Sequence, residues 1–374
     1  MINTNNNILI DSNICNNRSP KNRVIGLDFF RVALALLIFA FHSHIHFNCS
    51  YYWLNDFVEM GAIAMTGFFM LSGYSLHLSS SYKDLNRVQE IKRFYIKRLI
   101  AVFPLYLIVA LIRVVMDLMV GNSSLVETAV LFPVELFATQ STFSTLFPYS
   151  HNNGTWFISC LFICYCAYPF FQQLFLQLSV KAKTVILFVL CGILLYAPFV
   201  QHYFQLHYLS VYTSPFYRLI EFLIGIIIAQ LNTMTVKNRC LSLVRKPISC
   251  FMAIVLLVLS VSMGRRYGLP VDYMLFNIAA VPCFMVIMMS LGSMKFEFIK
   301  NPRFLLYLSG IVFAFYLCQI LPIWGVSRYL CGLIDVESNV LRILVSFSVC
   351  FVGAITLHHV VEKPIAAFLK KKLL

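Results

Sequence analysis

The amino-acid sequence predicts an all-α, polytopic membrane protein with about ten transmembrane helices, a further re-entrant or interfacial segment, and both termini in the cytoplasm. The composition is 60% hydrophobic and only 12% charged, with a mean hydropathy of +0.80, which is unlike an ordinary soluble domain. Apolar segments that are long enough to cross a bilayer recur along the 374 residues. Lys and Arg are concentrated in alternate loops, as the positive-inside rule requires of a polytopic protein.

Ten apolar segments are the candidate spans. They lie at 27–47, 57–79, 99–120, 155–177, 184–200, 215–233, 248–263, 271–292, 304–326 and 342–361. The predicted membrane domain is therefore 26–364, between a polar cytoplasmic N-terminal tail at 1–25 and a basic cytoplasmic C-terminal tail at 365–374. The spans differ in length and show no repeating period, so no internal repeat is predicted.

The placement of positive charge sets the predicted orientation. Of the 29 Lys and Arg residues, 22 fall in the N-terminal segment, alternate loops and the C-terminal segment, five fall in the opposite loops, and two lie inside spans. This bias predicts that both termini are cytoplasmic. It also explains the net charge of +14 as a topology signal with attraction to anionic headgroups, so the lipid bilayer is a predicted partner and nucleic acid is not.

The first span carries an acid, an arginine and a histidine in the run LDFFRVALALLIFAFH. Ionisable side chains inside a span are energetically costly and usually functional. Arg31 and His42 are eleven residues apart, which places them on one face of a helix and about 16 Å apart along its axis. Asp28 precedes Arg31 by three residues, within pairing distance on a helix. We interpret this face as a candidate catalytic face, on which Asp28 holds the Arg31 guanidinium in place.

The third span begins with a cluster of cations in RFYIKRLIAVFP. Arg93, Lys97 and Arg98 suit phosphate groups, because an arginine fork binds phosphate bidentately and a lysine supplies a point charge. The alternative interpretation is that these residues are only positive-inside anchors. The cluster predicts an anion-binding entrance on the cytoplasmic side.

Ionisable pairs also mark the outer halves of two spans, and an aromatic residue opens the span between them. Arg113 and Asp117 are four residues apart in the third span, and Arg218 and Glu221 lie at the outer entry of 215–233. With Trp156, they predict the acceptor-binding wall of a polar cavity that opens outward. The alternatives are structural ion pairs in the bundle and, for Trp156, an anchor at the membrane interface.

The segment 124–138 does not fit the pattern of spans. It contains the apolar run VETAVLFPVELF, which includes Glu127 and Glu135. If this segment crossed the bilayer, every later loop would change side and the charge bias would be lost. We therefore predict a re-entrant or interfacial element at the outer face, since irregular backbone at that depth is tolerated only beside protein or a water-filled cavity.

Cysteine and histidine do not indicate a metal centre. The twelve Cys residues are scattered without a CxxC pair, and in apolar helices Cys is usually a small packing residue. His42, His44 and His46 are close in sequence, but only His42 and His46 share a helix face. Without a third ligand, no metal site is predicted.

These segments together resemble the integral-membrane acyltransferase 3 family of bacterial O-acyltransferases. The resemblance extends over residues 26–364 and depends on six segments in the expected order: LDFFRVALALLIFAFH, GFFMLSGYSL, RFYIKRLIAVFPLY, GTWFISCLFICYCAYPFF, RLIEFLIGIIIA and HHVVEKP. Arg31 and His42 match the family's essential pair by position. The chain departs from the family pattern at Ala101, three residues after Arg98 in the basic element, and at Gln319, where a late span usually has His.

The resemblance implies an enzyme, an O-acetyltransferase-like acyltransferase of the inner (plasma) membrane. Its donor substrate would be cytoplasmic acyl-CoA, usually acetyl-CoA, with no permanently bound cofactor. Its acceptor would be a hydroxyl of a cell-surface glycan or of the lipid-linked saccharide precursor. In the mechanism that we expect, His42 is the general base that takes the acceptor's proton. Arg31 holds the phosphate or pantetheine part of the donor, or stabilises the developing oxyanion.

Two other function classes compete with this interpretation. A secondary transporter or flippase for a glycan or an anionic solute could use the same charged residues, but transporters often show paired repeats and none is detected here. A non-catalytic scaffold or receptor would leave the shared face of Arg31 and His42 unexplained.

Overall fold

The computed structural model describes residues 23–81, 83–142, 151, 153–205, 210–233, 239–270, 272–297, 299–319, 321, 323–333 and 338–374. Within these ranges all regular secondary structure is helical, which confirms the predicted all-α class. The α-helices, in chain order, are α1 (Ile25–Phe47), α2 (Asn55–Glu59), α3 (Ala64–Ser80), α4 (Val88–Val120), α5 (Leu125–Leu136), α6 (Trp156–Gln177), α7 (Val180–Tyr203), α8 (Pro215–Thr233), α9 (Arg239–Val244), α10 (Pro247–Arg266), α11 (Asn277–Ser293), α12 (Arg303–Cys318), α13 (Ile323–Leu333), α14 (Asn339–Thr356) and α15 (Lys363–Leu373).

The helices support seven to nine of the ten predicted spans. Seven helical segments of the described chain are long and apolar enough to cross a membrane: α1, α4, α6, α7, α8, α10 and the run Asn339–Leu373. Two bent pairs raise the number to nine, namely Tyr52–Glu59 with Gly61–Ser80, bent by 51°, and α12 with α13, bent by 88°. The predicted span 271–292 corresponds to α11, an apolar helix of 17 residues. The protein is therefore a multi-pass membrane protein, while the side of the membrane that each terminus occupies stays a prediction.

Helices α3 and α8 cross at very short range because glycine lines their contact. A Cβ atom on Gly73 would overlap the backbone carbonyl of Phe222, and one on Gly225 would overlap that of Met70. Only glycine allows two helix backbones to approach this closely. The crossing leaves another part of α3 to contact α1, where the Ser75 hydroxyl meets Arg31.

The segment predicted as re-entrant or interfacial forms the short helix α5. Its 12 residues reach about 18 Å at 1.5 Å per residue, which is less than the roughly 30 Å hydrocarbon core. A capping box starts the helix: Ser124 accepts from the Glu127 backbone N–H, and the Glu127 carboxylate accepts from the backbone N–H of Ser124. The bonds from Ser124 hold the pKa of Glu127 below its ordinary value. The helix therefore does not cross the bilayer by itself.

The C-terminal end of the chain is helical beyond the last predicted span. Leu357–Glu362 form a π-helical turn between α14 and α15, and the predicted basic tail at 365–374 lies within α15 up to Leu373. In the π turn, His358 Nδ1 lies 2.6 Å from Glu362 Oε2. The predicted N-terminal tail at 1–25 lies outside the described residues as far as residue 22.

Candidate active site

A buried carboxylate organises the cations at the start of α1. Asp28 is 2% exposed and accepts a bidentate pair of hydrogen bonds from Arg23, at 2.8 Å each. It also accepts from Arg31 Nη1 at 2.9 Å and from the Ser309 hydroxyl at 2.5 Å. Charge-assisted bonds of this kind are the stronger class in proteins. The predicted Asp28–Arg31 pair is thus present, and it fixes the guanidinium on the bundle side of α1.

Helix α12 supplies a partner at each end of the face that Arg31 and His42 share. Arg31 Nη1 donates to the Ser309 hydroxyl at 2.9 Å, and His42 Nδ1 lies 2.9 Å from Gln319 Oε1. Ser309 and Gln319 are ten residues apart, about 15 Å of helix, and Arg31 and His42 are eleven residues apart, about 16 Å. The two separations therefore agree. The two helices therefore run side by side in the same direction. This confirms that Arg31 and His42 share one face of α1, and that face contacts α12 along a line that we call the α1–α12 seam.

A cavity of about 510 Å³ lies beside this seam between α3, α4, α6 and α12. Its polar wall consists of Arg31, Arg98 and hydroxyl groups, and its other walls are mainly aliphatic and aromatic. On α3 the lining residues run from Ser79 to Met65, which corresponds to about 21 Å of helix. Four serine hydroxyls line the cavity: Ser72, Ser75 and Ser79 on α3, and Ser309 on α12.

The cavity has a cationic end. Arg98 lines it, and the Nε atom of Arg98 is buried with no hydrogen-bond partner among the residues that the structure describes. Its guanidinium lies 5.8 Å from the ring centroid of Tyr165. Burial lowers the pKa of Lys83, and the nearby charges of Lys97 and Arg98 lower it further. Several cations therefore share this end of the bundle, as the sequence predicted.

One member of the predicted donor set, Arg93, does not reach the cavity, and neither does a second arginine of the family pattern. Arg93 pairs with Glu90 at 3.1 Å and its side chain is 60% exposed, so it lies outside the cavity. Ala101, at the position where the family pattern has a second arginine, lines the cavity wall. The cations that do line the cavity are Arg98 on α4 and Arg31 on α1.

The opposite end of the cavity closes near the histidine. Tyr316 and Phe157 line this end, with their ring centroids 4.6 Å apart in an edge-to-face contact. The Tyr316 hydroxyl donates to the Gly154 carbonyl at 2.7 Å, and its ring centroid lies 6.4 Å from that of His42. Tyr316 therefore stands between the cavity and the imidazole.

The structure brings three of the predicted acceptor residues together, but inside the protein. Arg218 and Glu221 are both 0% exposed, and their closest approach is 2.8 Å. Arg218 also donates to the Tyr212 carbonyl at 2.8 Å, and its guanidinium lies 5.1 Å from the ring centroid of Trp156. This enclosed cluster joins α8, α6 and the segment before α8, and its predicted role in acceptor binding stays a prediction.

The other predicted acceptor pair is separate from this cluster. Arg113 Nε donates to Asp117 at 2.9 Å, with side chains 32% and 10% exposed. Neither residue lines the cavity beside Arg31. No group of three or more His, Cys, Asp or Glu side chains that could bind a metal ion occurs in the described parts of the chain.

Sequence reasoning missed the partners that come from distant segments. Ser309 and Ser75 meet Arg31 across 278 and 44 residues, and no local pattern marks either serine. In the sequence, Gln319 stands out only as a departure from a family pattern, although its contact with His42 is a central feature of the site. The hydroxyl spacing at 72, 75 and 79 on one helix face was the one available signal.

Comparison with known proteins agrees with the motifs of the sequence. Residues 24–359 match an acyltransferase domain family, the acyltransferase 3 domain. The match covers most of the chain and includes Arg31, His42 and the residues that line the cavity. Searches of curated proteins and of solved structures gave no match.

Proposed function

Because the chain belongs to the acyltransferase 3 family and is a membrane acyltransferase that transfers groups other than amino-acyl groups, we propose that it moves an acyl group, acetyl in the first instance, from acyl-CoA to a hydroxyl. The acceptor is a cell-surface glycan or its lipid-linked precursor. The observation that carries this proposal is the cavity that extends from the cationic end at Arg98 and Arg31 to Tyr316, whose ring centroid lies 6.4 Å from that of His42. A donor with a charged head and a long arm suits such a shape.

The cationic end is the donor's anchoring point in this proposal. A buried Arg98 Nε without a partner in the described chain is costly unless a ligand satisfies it, and phosphate oxygens of CoA would do so. The serine hydroxyls along the cavity can bond the amides of the pantetheine arm. Lys97 and Lys83 raise the positive potential at the entrance, which attracts an anionic donor.

The separation of Arg31 from His42 favours one of the two roles considered for the arginine. The acyl carbonyl has to be within contact of the acceptor oxygen that His42 deprotonates, and Arg31 starts about 16 Å away along the helix. Asp28 and Ser309 also hold its guanidinium at that end. Arg31 therefore binds the donor in our proposal and does not stabilise the oxyanion.

His42 acts at the other end as the general base. Its imidazole takes the proton from the acceptor hydroxyl while the oxygen attacks the thioester carbonyl, and collapse of the tetrahedral intermediate expels the CoA thiolate, which then receives a proton. Alignment of the donor's thioester with the acceptor hydroxyl beside His42 turns the encounter into an oriented reaction. We place the donor end in the cytoplasm and the protein in the plasma (inner) membrane, in accordance with the positive-inside bias.

The test is acyl transfer by the purified, reconstituted protein. Radiolabelled acetyl-CoA is supplied with saccharide acceptors, and label transfer and CoA release are measured for wild type, His42→Ala and Arg31→Lys. His44→Ala is the matched control, because His44 lies on the same helix but its Nδ1 contacts the Cys49 carbonyl. We expect loss of transfer in His42→Ala and near-normal transfer in the control. Full transfer by His42→Ala, or saccharide binding without thioester consumption by wild type, would overturn the proposal.

A further inference from the structure

Gln319 is held more firmly than a residue that merely fills space. Its side chain is 4% exposed, and its Nε2 donates to the Phe315 carbonyl at 3.2 Å. Its backbone carbonyl accepts from the indole N–H of Trp324 at 3.2 Å. Both ends of the residue are therefore tied down, one within α12 and one to the first turn of α13.

The end of α12 makes the Phe315 carbonyl available for this contact. In a regular helix that carbonyl would accept the backbone N–H of residue 319. Here the Gln319 N–H bonds Tyr316 O instead, at 3.1 Å, as in the tighter final turn that many helices adopt. The side chain of Gln319 then satisfies the carbonyl that its own backbone has released.

This arrangement determines which atom donates the hydrogen bond between Gln319 and His42. The Phe315 carbonyl can only accept, so the amide NH₂ group has to face it and Oε1 has to face the imidazole. A flipped amide would bring two oxygens together at 3.2 Å with no proton between them. Since Oε1 can also only accept, His42 Nδ1 is the donor at 2.9 Å.

We infer that Gln319 is a positioning residue that keeps His42 in the Nδ1–H tautomer, with the basic lone pair on Nε2. A base can take a proton only through a nitrogen that carries a lone pair, and Nε2 has no hydrogen-bond partner among the described residues. This inference rests on the proposed function for its catalytic meaning, but the tautomer itself is a property of the resting protein.

The surroundings of His42 contain few groups that compete for this control. His46, on the same helix, has its ring centroid 5.7 Å from that of His42, and Tyr316 on α12 is at 6.4 Å. Arg328 on α13 donates to the His46 backbone carbonyl. None of these has a hydrogen bond to His42 in the described chain, so Gln319 is the group that selects the tautomer.

Nitrogen NMR reads the tautomer without any reference to activity. The purified protein carries ¹⁵N-labelled histidine, and the His42 signals are assigned by their absence in His42→Ala. At a pH high enough for the imidazole to be neutral in every variant, we expect a protonated Nδ1 and a bare Nε2 in wild type and in Gln319→Glu, whose carboxylate also accepts, and a mixture of tautomers in Gln319→Met. A wild-type His42 protonated on Nε2 would overturn the inference.

Kinetics separate positioning from simple support of the fold. We expect Gln319→Met to lower kcat by about 10–100-fold, which is part of the roughly 100- to 10,000-fold that a general base contributes, with little change in KM for acetyl-CoA. Gln319→Glu should move the acid limb of the pH–rate profile to higher pH, because a carboxylate stabilises the charged imidazolium. Gln172→Met is the matched control: Gln172 is also buried and donates to the Ser80 carbonyl at 2.9 Å, but far from His42.

The outcomes distinguish the two proposals. A loss of thermal stability that is the same in Gln319→Met, Gln319→Glu and Gln172→Met, with unchanged pH profiles, would mean that Gln319 only supports the fold. If neither wild type nor any variant transfers acetyl groups, the proposed function is wrong. If the NMR of the same proteins still reports the Nδ1–H tautomer, the assignment of Gln319 as the residue that sets the tautomer remains valid.

Discussion

The buried pair Arg218–Glu221 tests which charged residues form the framework and which serve the reaction. Both side chains are fully enclosed, and the Arg218 guanidinium bonds Glu221 and the Tyr212 carbonyl, each at 2.8 Å. The Thr66 hydroxyl donates to the same carboxylate at 2.8 Å. Arg218→Met would leave Glu221 buried without its counterion, and the loss of one partner of a buried ion pair costs about 3–5 kcal/mol.

This cost predicts a large shift in thermal stability. One kcal/mol moves Tm by about 2–4 °C in domains of some 150–250 residues, so we expect Arg218→Met to lower Tm by roughly 6–20 °C. Glu221→Gln should have a similar effect, since the guanidinium then lacks its anion. The double variant should lose less than the sum of the two, because no uncompensated charge remains.

The assay is thermal unfolding in detergent with a thiol-reactive dye, which suits a chain whose described cysteines are mostly buried. Arg265→Met is the matched control, because the Arg265–Glu59 pair is partly exposed, at 28% and 31%, and should contribute no more than about 1 kcal/mol. Additive losses in the double variant would refute the reasoning. Wild-type stability with a raised KM for the acceptor would assign the pair to the acceptor site.

Three further changes examine the donor end. Asp28→Asn removes the carboxylate that Arg23 and Arg31 share; because a hydrogen bond to a charged group is worth about 1.5–3 kcal/mol, we expect KM for acetyl-CoA to rise about tenfold or more, and a wild-type KM would contradict this. Ser75→Phe places a ring in the cavity and is expected to abolish turnover at normal membrane abundance, whereas normal turnover would mean that the donor does not enter there. The pKa of Lys83 is lowered by burial and by Lys97 and Arg98, so the unfolded chain binds the proton more tightly and the charge opposes folding at neutral pH. Lys83→Gln should therefore raise Tm at pH 7, with a gain that fades as the pH rises from the folded pKa towards 10.5, and should weaken donor binding; a lower Tm at pH 7 would contradict the account.

The lengths of the apolar runs and the helical spacing of charged residues predicted much of the fold. The ten apolar segments correspond to observed helices because a span has to be apolar over a fixed length, and that requirement is local. The spacing of Arg31 and His42 likewise predicted a shared face, since α1 is regular from Ile25 to Phe47. The charge argument against a span at 124–138 agreed with a helix that is too short to cross.

The parts that the sequence did not reveal depend on contacts between distant helices. His42 and Gln319 are separated by 277 residues, and their contact depends on the parallel register of α1 and α12. Neither the 88° bend between α12 and α13 nor the π turn at Leu357–Glu362 was predicted, although Pro322 and Pro364 stand at these places in the sequence and proline cannot donate the backbone hydrogen bond of a regular helix. The enclosure of Arg218 by aromatic rings also could not be predicted from the sequence, because it depends on the contact between α6 and α8.

The central claim is that an acyl-CoA donor occupies the cavity beside Arg31. The most direct measurement is the rate at which a thiol-specific reagent modifies Ser75→Cys, in a background without reactive native thiols, with and without acetyl-CoA. Ser293→Cys, at an exposed position at the end of α11, is the control outside the cavity. Our account predicts that acetyl-CoA slows modification at position 75 and leaves position 293 unaffected. Equal rates at position 75 with and without saturating donor would contradict it.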